Sequence, residues 1–316
     1  MNKNKLIKST IVIFIWRKLK LILFSLNPKL GIMIIYRAIM GEFPRLKKPI
    51  FFNEKIQWLK LNEYSKEIYS ICTDKYLVRN YVNSKQCSFL LNELLFFYKK
   101  PEDIEFERFP KKFAIKLNHG CGYNIICKDK REINSKIIID QLNKWLKEKP
   151  EKIYGEPQGK IKEKYILIEK YLGSKEGKLP KDYKFFCFNG RVKYIMYCDE
   201  RETGKTKFYF FNPLWEMLNF TKEAKLYIEN ESTSIMKPNE LNRMIEYAEK
   251  LSEDFYFVRV DFYYVEEKIL FGELTFSPAG GLDRDLKYVT ETGESVDEIL
   301  GKELKLPIDY LGGNNV

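Results

Sequence analysis

Charged and hydroxyl side chains alternate with apolar residues in two segments towards the C-terminal end of the sequence. Arg259, Asp261 and Tyr263 alternate in the first segment, and Glu273 and Thr275 alternate in the second. Because strand side chains point to the two faces of a sheet in turn, each set should share one face. We therefore expect a hairpin with one polar face.

The predicted hairpin brings two carboxylates together. A turn centred near Glu267 would place Asp261 directly opposite Glu273. Carboxylates in that position repel each other unless a cation lies between them, and such hard oxygen ligands suit a magnesium ion that also holds nucleotide phosphates. The alternative is that one of them is exposed and paired with Arg259 or a lysine. If the two repel, neutralising either one should leave the fold equally stable or more stable.

A lysine in a short apolar strand, followed by a glycine-containing loop, is a second candidate site. Lys116 lies in the predicted strand 113–117, and Gly120 and Gly122 follow it. The lysine could bind a phosphate while the loop lets backbone amides approach the phosphate oxygens; the alternative is an ordinary hairpin. The loop is not a Walker A motif, because GxxxxGK[ST] is absent. His119, the single histidine, would either touch a phosphate or substrate or order the loop through a hydrogen bond.

The third candidate is an apolar strand, predicted at 165–171, that ends in charged residues. Glu169 and Lys170 lie at its end, and Leu172 follows. Such an end can offer backbone groups to the edge of an adenine while apolar side chains cover its faces. The alternative is a strand that simply leaves the core.

Periodicity divides the chain into a helical N-terminal part and a later part that mixes strands and helices. Residues 6–26 predict a basic amphipathic helix, because lysines and an arginine interrupt the apolar run that a membrane span would need. This helix either packs on the protein or lies on a membrane face. Residues 51–100 are predicted to be helical, with Asp74 as a cap, and the last thirty or so residues are predicted to be loop and tail.

The later part contains several predicted strands joined by turns and two helices. Helices are expected from Ser135 and from Pro238, and Asn189-Gly190 predicts a hairpin turn. The strands are expected at 113–117, 123–128, 165–171, 183–188, 192–199 and 207–212, besides the polar hairpin.

Composition limits the classes of function. The 316 residues are 45% hydrophobic and 15% aromatic, which predicts a buried core in one large domain or in two or three packed lobes. The net charge of +11 favours acidic substrates, phosphates or an anionic membrane, since no nucleic-acid-binding signature accompanies the scattered lysines. The six cysteines form no CxxC pair, which favours reduced thiols in the cytoplasm over a zinc site.

The order of the three candidate sites is that of the ATP-grasp superfamily, and the chain most resembles the TupA-like ATP-grasp family, which is found with bacterial surface-polysaccharide genes. The resemblance lies in residues 52–60, 74–76, 116–122, 182–190 and 259–281. It implies an α+β ATP-grasp fold whose two α+β lobes hold a nucleotide, preceded by a helical N-terminal region. The implied divisions are an N-terminal amphipathic helical segment (1–50), a mainly helical region (51–112), the small lobe (113–172) and the large lobe with the magnesium site (173–316).

The resemblance also implies ATP and Mg²⁺ as cofactors and assigns a role to each candidate residue. Thr275 stands where most ATP-grasp enzymes carry asparagine as a metal ligand, and its side chain has a shorter reach. The implied nucleotide contacts are phosphate contact for Lys116, Lys184, Gly120 and Gly122, an adenine hinge at Glu169, Lys170 and Leu172, and ribose contact for Asp182. Magnesium would be bound by Asp261, Glu273 and Thr275. The transferred phosphoryl group would be stabilised by Arg259 with Lys116 and Lys184.

The implied activity is a ligase in which ATP phosphorylates a carboxylate and an amine then displaces phosphate. The expected substrate is an acidic sugar or amino acid, free or linked to a polymer or lipid, that becomes part of a capsule or other surface polymer. The protein is expected in the cytoplasm or at the inner face of the membrane. The alternative is a polysaccharide glycosyltransferase, which needs a metal-binding Asp-x-Asp. Asp283-Arg284-Asp285 has that spacing but follows the hairpin in a predicted loop. A nucleotide-binding scaffold without catalysis is disfavoured because both carboxylates are present.

Overall fold

The computed structural model describes residues 16–173, 179–201, 204, 206–226 and 235–307, which form two antiparallel sheets with helices around them. Residues 16–26 are helical, and no helix in the described ranges is long and apolar enough to cross a membrane. The other α-helices that lie wholly within the described residues are α1 (Pro28–Met40), α2 (Phe52–Asn62), α3 (Glu67–Thr73), α4 (Val78–Ser84), α5 (Ser135–Lys147), α6 (Pro150–Tyr154), α7 (Leu241–Ser252) and α8 (Val296–Glu303). The strands are β1 (Leu94–Tyr98), β2 (Phe113–Leu117), β3 (Asn124–Cys127), β4 (Ile166–Lys170), β5 (Lys181–Phe188), β6 (Arg191–Asp199), β7 (Lys207–Phe211), β8 (Met217–Leu218), β9 (Phe257–Val265) and β10 (Lys268–Thr275).

The smaller sheet has the strand order β1-β4-β2-β3 and packs against α5. Helix α5 begins at Ser135 as predicted, with Asn134 as its N-cap, and buries Ile138 and Leu142 against the sheet. The predicted strands at 113–117 and 165–171 are confirmed within two residues. Short apolar runs bounded by polar residues were therefore sufficient to locate these buried strands.

Two predictions about secondary structure are wrong. Residues 51–100 are not all helical, because Leu94–Tyr98 forms β1 and pairs antiparallel with β4, far along the chain. The smaller sheet therefore begins before the predicted boundary at residue 113. The C-terminal residues are not only loop and tail, because Ser295 caps α8, whose Val296 and Leu300 are fully buried.

The larger sheet has the order β10-β9-β5-β6-β7-β8, and its two faces differ in character. Helix α7 covers one face, where the thiol of Cys187 lies 3.8 Å from the carbonyl oxygen of Ala248. Because side chains alternate along β5 and β9, Lys184 and Asp261 lie on the opposite face. Phe52 of α2 packs on one end of that face, and the other end is left for polar side chains.

The β9-β10 hairpin contains a bulge that determines its register. The turn is formed by Glu266 and Glu267, both with positive φ, and Val265 pairs with Lys268. The turn is therefore centred between residues 266 and 267, and not on Glu267 as predicted. The register then shifts by one residue at Gly272, and only beyond this bulge does Asp261 lie opposite Glu273. The predicted pair is confirmed, although the turn and the bulge together produce it.

The N-terminal helix packs on the protein along one side. Phe24 is buried with residues of α1, and Arg17 forms an ion pair of 2.6 Å with Glu148. Packing on the protein is thus observed for one side of residues 16–26, while residues 6–15 of the predicted helix lie outside the described residues. The opposite side of this helix carries an exposed apolar row, formed by Leu19, Ile22 and Leu26.

The bulge generates the first prediction. A β-carbon at Gly272 would lie 2.9 Å from the backbone oxygen of Asp261, so Gly272→Ala must displace one strand of the hairpin. We expect the free energy of unfolding to fall by about 1–3 kcal/mol, the usual cost of overpacking a rigid site. Urea unfolding of the variant and the wild type measures this change. Equal unfolding midpoints would contradict the proposed steric role of Gly272.

Candidate active site

A cleft of about 840 Å³ lies between the two sheets, within the size range of small-molecule sites. Both sheets contribute polar side chains to it, as do the loops that follow β2 and β10. The predicted site residues that line the cleft are Lys116, Gly120, Gly122, Glu169, Leu172, Asp182, Lys184, Arg259, Asp261, Glu273 and Thr275. The structure therefore brings together residues that are as much as 159 positions apart, from Lys116 to Thr275.

Three charged residues form a row across β5, β9 and β10. Lys184 pairs in register with Asp261, which pairs in register with Glu273. The Nζ of Lys184 donates a 2.6 Å hydrogen bond to Asp261 Oδ2. Positive charge thus lies beside the first carboxylate, which relieves the repulsion expected between the two carboxylates.

Arg259 links both carboxylates from the same face. Its guanidinium donates two hydrogen bonds of 2.7 Å to the two oxygens of Asp261, a bidentate geometry that is among the strongest in proteins. Its Nη2 lies 3.4 Å from Glu273 Oε1 and 3.2 Å from Thr275 Oγ1. The hydroxyl of Thr275 in turn donates to Glu273 Oε1 at 2.8 Å, so Thr275 orients Glu273.

The two carboxylates have different electrostatic surroundings. Burial raises the pKa of Asp261, and the charges of Arg259 and Lys184 oppose that rise. Burial would also raise the pKa of Glu273, but the charges of Lys75 and Arg259 bring it below its ordinary value. Lys75 was missed as a site residue, although it lies in the motif 74–76. Its Nζ donates to the carbonyl oxygen of Gly120 at 2.7 Å, so it also holds the glycine loop.

The residues of the hairpin fit a magnesium ion by the type of their donor atoms. Asp261 and Glu273 offer carboxylate oxygens, and Thr275 offers a hydroxyl oxygen. The described residues contain no group of three or more His, Cys, Asp or Glu side chains that could hold a metal. Magnesium is nevertheless usually bound through one or two carboxylates, together with water and substrate phosphates. An ion at Asp261 would replace some of the hydrogen bonds from Arg259 and Lys184.

On the smaller sheet the predicted phosphate lysine is paired with a predicted hinge residue. The Nζ of Lys116 lies 2.7 Å from Glu169 Oε2. Lys170, also predicted as a hinge residue, does not line the cleft. Its side chain is exposed and paired with Glu93, and its backbone N–H and C=O are bonded to Glu93 and Asn92. Asn92 and Glu93, which directly precede β1 in a segment that was predicted to be helical, occupy those backbone groups.

Asp182 is buried in the cleft wall and has two cationic neighbours. Its carboxylate lies 2.9 Å from Lys184 Nζ and 3.5 Å from Arg201 Nη1. Arg201 was missed by the sequence analysis, since it follows β6 in a polar segment without a recognisable motif. The predicted contact of Asp182 with a ribose stays a prediction.

His119 lies beneath the glycine loop and does not line the cleft. Its ring packs edge-on against Tyr123, with 5.6 Å between the ring centroids. Neither ring nitrogen makes a well-formed hydrogen bond with the described residues, and burial lowers the pKa of the side chain to about 4. In the described residues the ring is therefore packed under the loop residues, and neither suggested role, contact with a ligand or a loop-ordering hydrogen bond, is observed.

Asp283-Arg284-Asp285 is a structural segment outside the cleft. The backbone N–H and C=O of Asp283 are both bonded to the side chain of Asn53 on α2, and Asp285 is exposed. Within the described residues both sheets are entirely antiparallel. They differ from the parallel nucleotide-sugar sheet that the glycosyltransferase alternative requires.

Two antiparallel sheets with helices around them, and a charged cleft between them, define an ATP-grasp architecture. The family model described as TupA-like ATPgrasp matches residues 54–305. The chain therefore belongs to the TupA-like ATP-grasp family, and the predicted α+β ATP-grasp fold is confirmed. No curated protein sequence matches the chain significantly.

Solved structures with distant similarity include three ligases or synthetases. D-alanine–D-alanine ligase from Bacillus anthracis complexed with ATP is 14% identical, with a TM-score of 0.40 over 77% of this chain and 60% of that chain. N5-carboxyaminoimidazole synthetase from Staphylococcus aureus complexed with ADP is 12% identical, with a TM-score of 0.42 over 74% and 52%. The ATP-grasp ligase PsnB complexed with its minimal precursor is 11% identical, with a TM-score of 0.39 over 80% and 66%. The matched region thus spans about half to two thirds of these chains.

The charge row generates a prediction that corrects the sequence-based expectation. Asp261→Asn leaves Arg259 and Lys184 buried without their common anion, so the free energy of unfolding should fall by about 3 kcal/mol. Glu273→Gln should change it by less than about 1 kcal/mol, because this side chain is 40% exposed. Denaturant unfolding of both variants tests the difference. If both variants are at least as stable as the wild type, repulsion between the carboxylates dominates.

Proposed function

We propose that the protein is an ATP-dependent carboxylate–amine ligase that forms an amide through an acyl phosphate. The observation that carries the proposal is the row of Lys184, Asp261 and Glu273, joined by Arg259, in the cleft of a TupA-like ATP-grasp chain. This arrangement supplies positive charge for a phosphoryl group and oxygen ligands for its metal ion.

The substrate carboxylate attacks the γ-phosphorus, and an amine then displaces phosphate from the acyl phosphate. Activation as an acyl phosphate divides one difficult substitution into two easier ones. Lys116, Lys184 and Arg259 stabilise charge on the phosphoryl group, while Asp261 and Glu273 would hold Mg²⁺, which would neutralise phosphate charge. The glycine loop supplies backbone groups to the nucleotide. No side chain needs to act as a covalent nucleophile.

The proposed substrate is a uronic acid or amino acid that is built into a bacterial surface polysaccharide or peptide polymer. The family supports this role by association alone. The rival glycosyltransferase has less support, because its Asp-x-Asp segment lies outside the cleft and holds α2. A scaffold without catalysis would bind ATP but would release no ADP.

Isotope labelling tests the reaction. The wild-type protein is screened for ADP release with uronic acids and amino acids, singly and in pairs, and the active carboxylate is then labelled with ¹⁸O. We expect one labelled oxygen in the released phosphate and ADP as the nucleotide product, because the carboxylate oxygen leaves with the phosphoryl group. Formation of AMP, or label that stays wholly in the product, would contradict the acyl-phosphate mechanism.

We further propose that the N-terminal helix holds the protein on an anionic membrane face. Leu19, Ile22 and Leu26 share one side of the helix and are exposed, with Lys18 and Lys29 exposed beside them. Apolar side chains can enter the interface while basic side chains bind anionic lipids. Such a location would suit a lipid-linked substrate.

Vesicle binding tests this location. The wild-type protein should co-sediment with phosphatidylglycerol vesicles at low salt and dissociate at high salt, because the attraction is partly electrostatic. Ile22→Glu and Leu26→Glu should abolish binding, whereas Leu214→Glu, at an equally exposed leucine elsewhere, should not. Binding that survives both helix substitutions would contradict the proposal.

A further inference from the structure

A chain of three polar side chains lies in the cleft wall, outside the charge row. Gln158 Nε2 lies 2.8 Å from Ser277 Oγ, and Ser277 Oγ lies 2.6 Å from Glu156 Oε1. All three residues line the cleft. Ser277 is two residues beyond Thr275 in the chain, so this group lies next to the proposed magnesium site.

The direction of these hydrogen bonds follows from the number of protons available. An ionised carboxylate only accepts, so the single proton of the Ser277 hydroxyl is donated to Glu156. The hydroxyl oxygen must then accept from Gln158, which fixes the orientation of that amide. The carbonyl oxygen of Gln158 is left without a donor among the described residues, although the side chain is only 4% exposed. A buried acceptor in this state lacks a hydrogen-bond partner, and a ligand in the cleft supplies one after a small movement of the Gln158 side chain.

Glu156 also has unused capacity to accept. Among the described residues Ser277 is the donor to its carboxylate, and no lysine or arginine lies within the 4.0 Å of an ion pair. The nearby Lys60 donates instead to the carbonyl oxygens of Gly280 and Tyr154. Burial lowers the pKa of Lys60 to about 8, and the charge of Glu156 opposes that shift. The wall therefore presents one carboxylate and one amide oxygen that both need donors.

We infer that Glu156 and Gln158 bind the ammonium group of the acceptor amine. An ammonium group carries three donors and one positive charge, which matches a carboxylate beside an unpaired carbonyl oxygen. The inference rests on the proposed ligase function and names the subsite for its second substrate. Ser277 is a positioning residue, since it holds the carboxylate of Glu156 in place.

The same contact places a base beside the attacking nitrogen. The ammonium gives one proton to the carboxylate of Glu156 and becomes a neutral nucleophile. Its nitrogen forms the C–N bond while the C–O bond to phosphate breaks, and the electron pair of that bond leaves with the phosphate. The nitrogen loses its second proton to the departing phosphate, and Glu156 releases the first proton to solvent. This step needs no further reactant.

Hydroxylamine trapping separates this subsite from the activation of the carboxylate. Hydroxylamine is a small neutral nucleophile that needs no ammonium site, so Glu156→Gln should form the hydroxamate at close to the wild-type rate with ATP and the active uronic or amino acid. With the amino-acid amine found in the screen, kcat/KM should fall roughly ten- to hundredfold, because a charged hydrogen bond is lost. Glu151→Gln is the matched control, since Glu151 also lines the cleft, and both rates should be unchanged.

The other outcomes are distinguishable. An unchanged kcat/KM for the amine in Glu156→Gln would overturn the inference and leave the ligase function intact. Equal loss of hydroxamate and amide formation would indicate that Glu156 has a structural role beside Lys60, and would also overturn it. Gln158→Leu provides a second variant, in which we expect a smaller loss limited to the amine reaction. A wild-type protein that forms no hydroxamate with any carboxylate would contradict the ligase function itself.

Discussion

The cleft depends on the mutual neutralisation of buried charges on one face of the larger sheet. Asp261 is 3% exposed, and a carboxylate at such a depth is stable only with cationic partners. Lys184 supplies one through the β5-β9 pairing, and Arg259 supplies the other from two residues away on the same strand. The strand order that places β9 between β5 and β10 is therefore also the order that assembles the charge row.

The same neutralisation explains how the cleft could accept a nucleotide without burying net charge. Among the described residues six acidic and six basic side chains line it, so the wall alone has little net attraction for a polyanion. Lys116, Lys184 and Arg259 are each paired with a carboxylate in this structure. Phosphates can take over Lys184 and Arg259 without leaving Asp261 unpaired only if another cation binds that carboxylate. That exchange explains physically why an ATP site of this composition would require Mg²⁺.

The local alternation of polar and apolar residues predicted the hairpin well, whereas the sequence alone did not predict contacts between distant segments. Asp261 and Glu273 lie in adjacent strands, so alternation and a turn were enough to pair them. The unpaired position of Gly272 could not be deduced, because a bulge leaves no periodic signal. Strand β1 was predicted as helix, since its partner β4 lies far along the chain and tertiary pairing overrides local preference. The contact between Glu156 and Ser277 was not predicted for the same reason, because the two residues are 121 positions apart in the chain.

The N-terminal helix connects the proposed membrane face to the proposed amine subsite. Its Arg17 binds Glu148, and Lys20 lies over the ring of Tyr154 at 5.8 Å. Phe24 covers Gly155, where a β-carbon would approach the phenyl ring to 2.3 Å. Since Gly155 directly precedes Glu156, the helix supports the backbone that positions this carboxylate. If the proposed membrane contact is made through the opposite side of the helix, this one element links the proposed membrane face to the backbone that precedes Glu156.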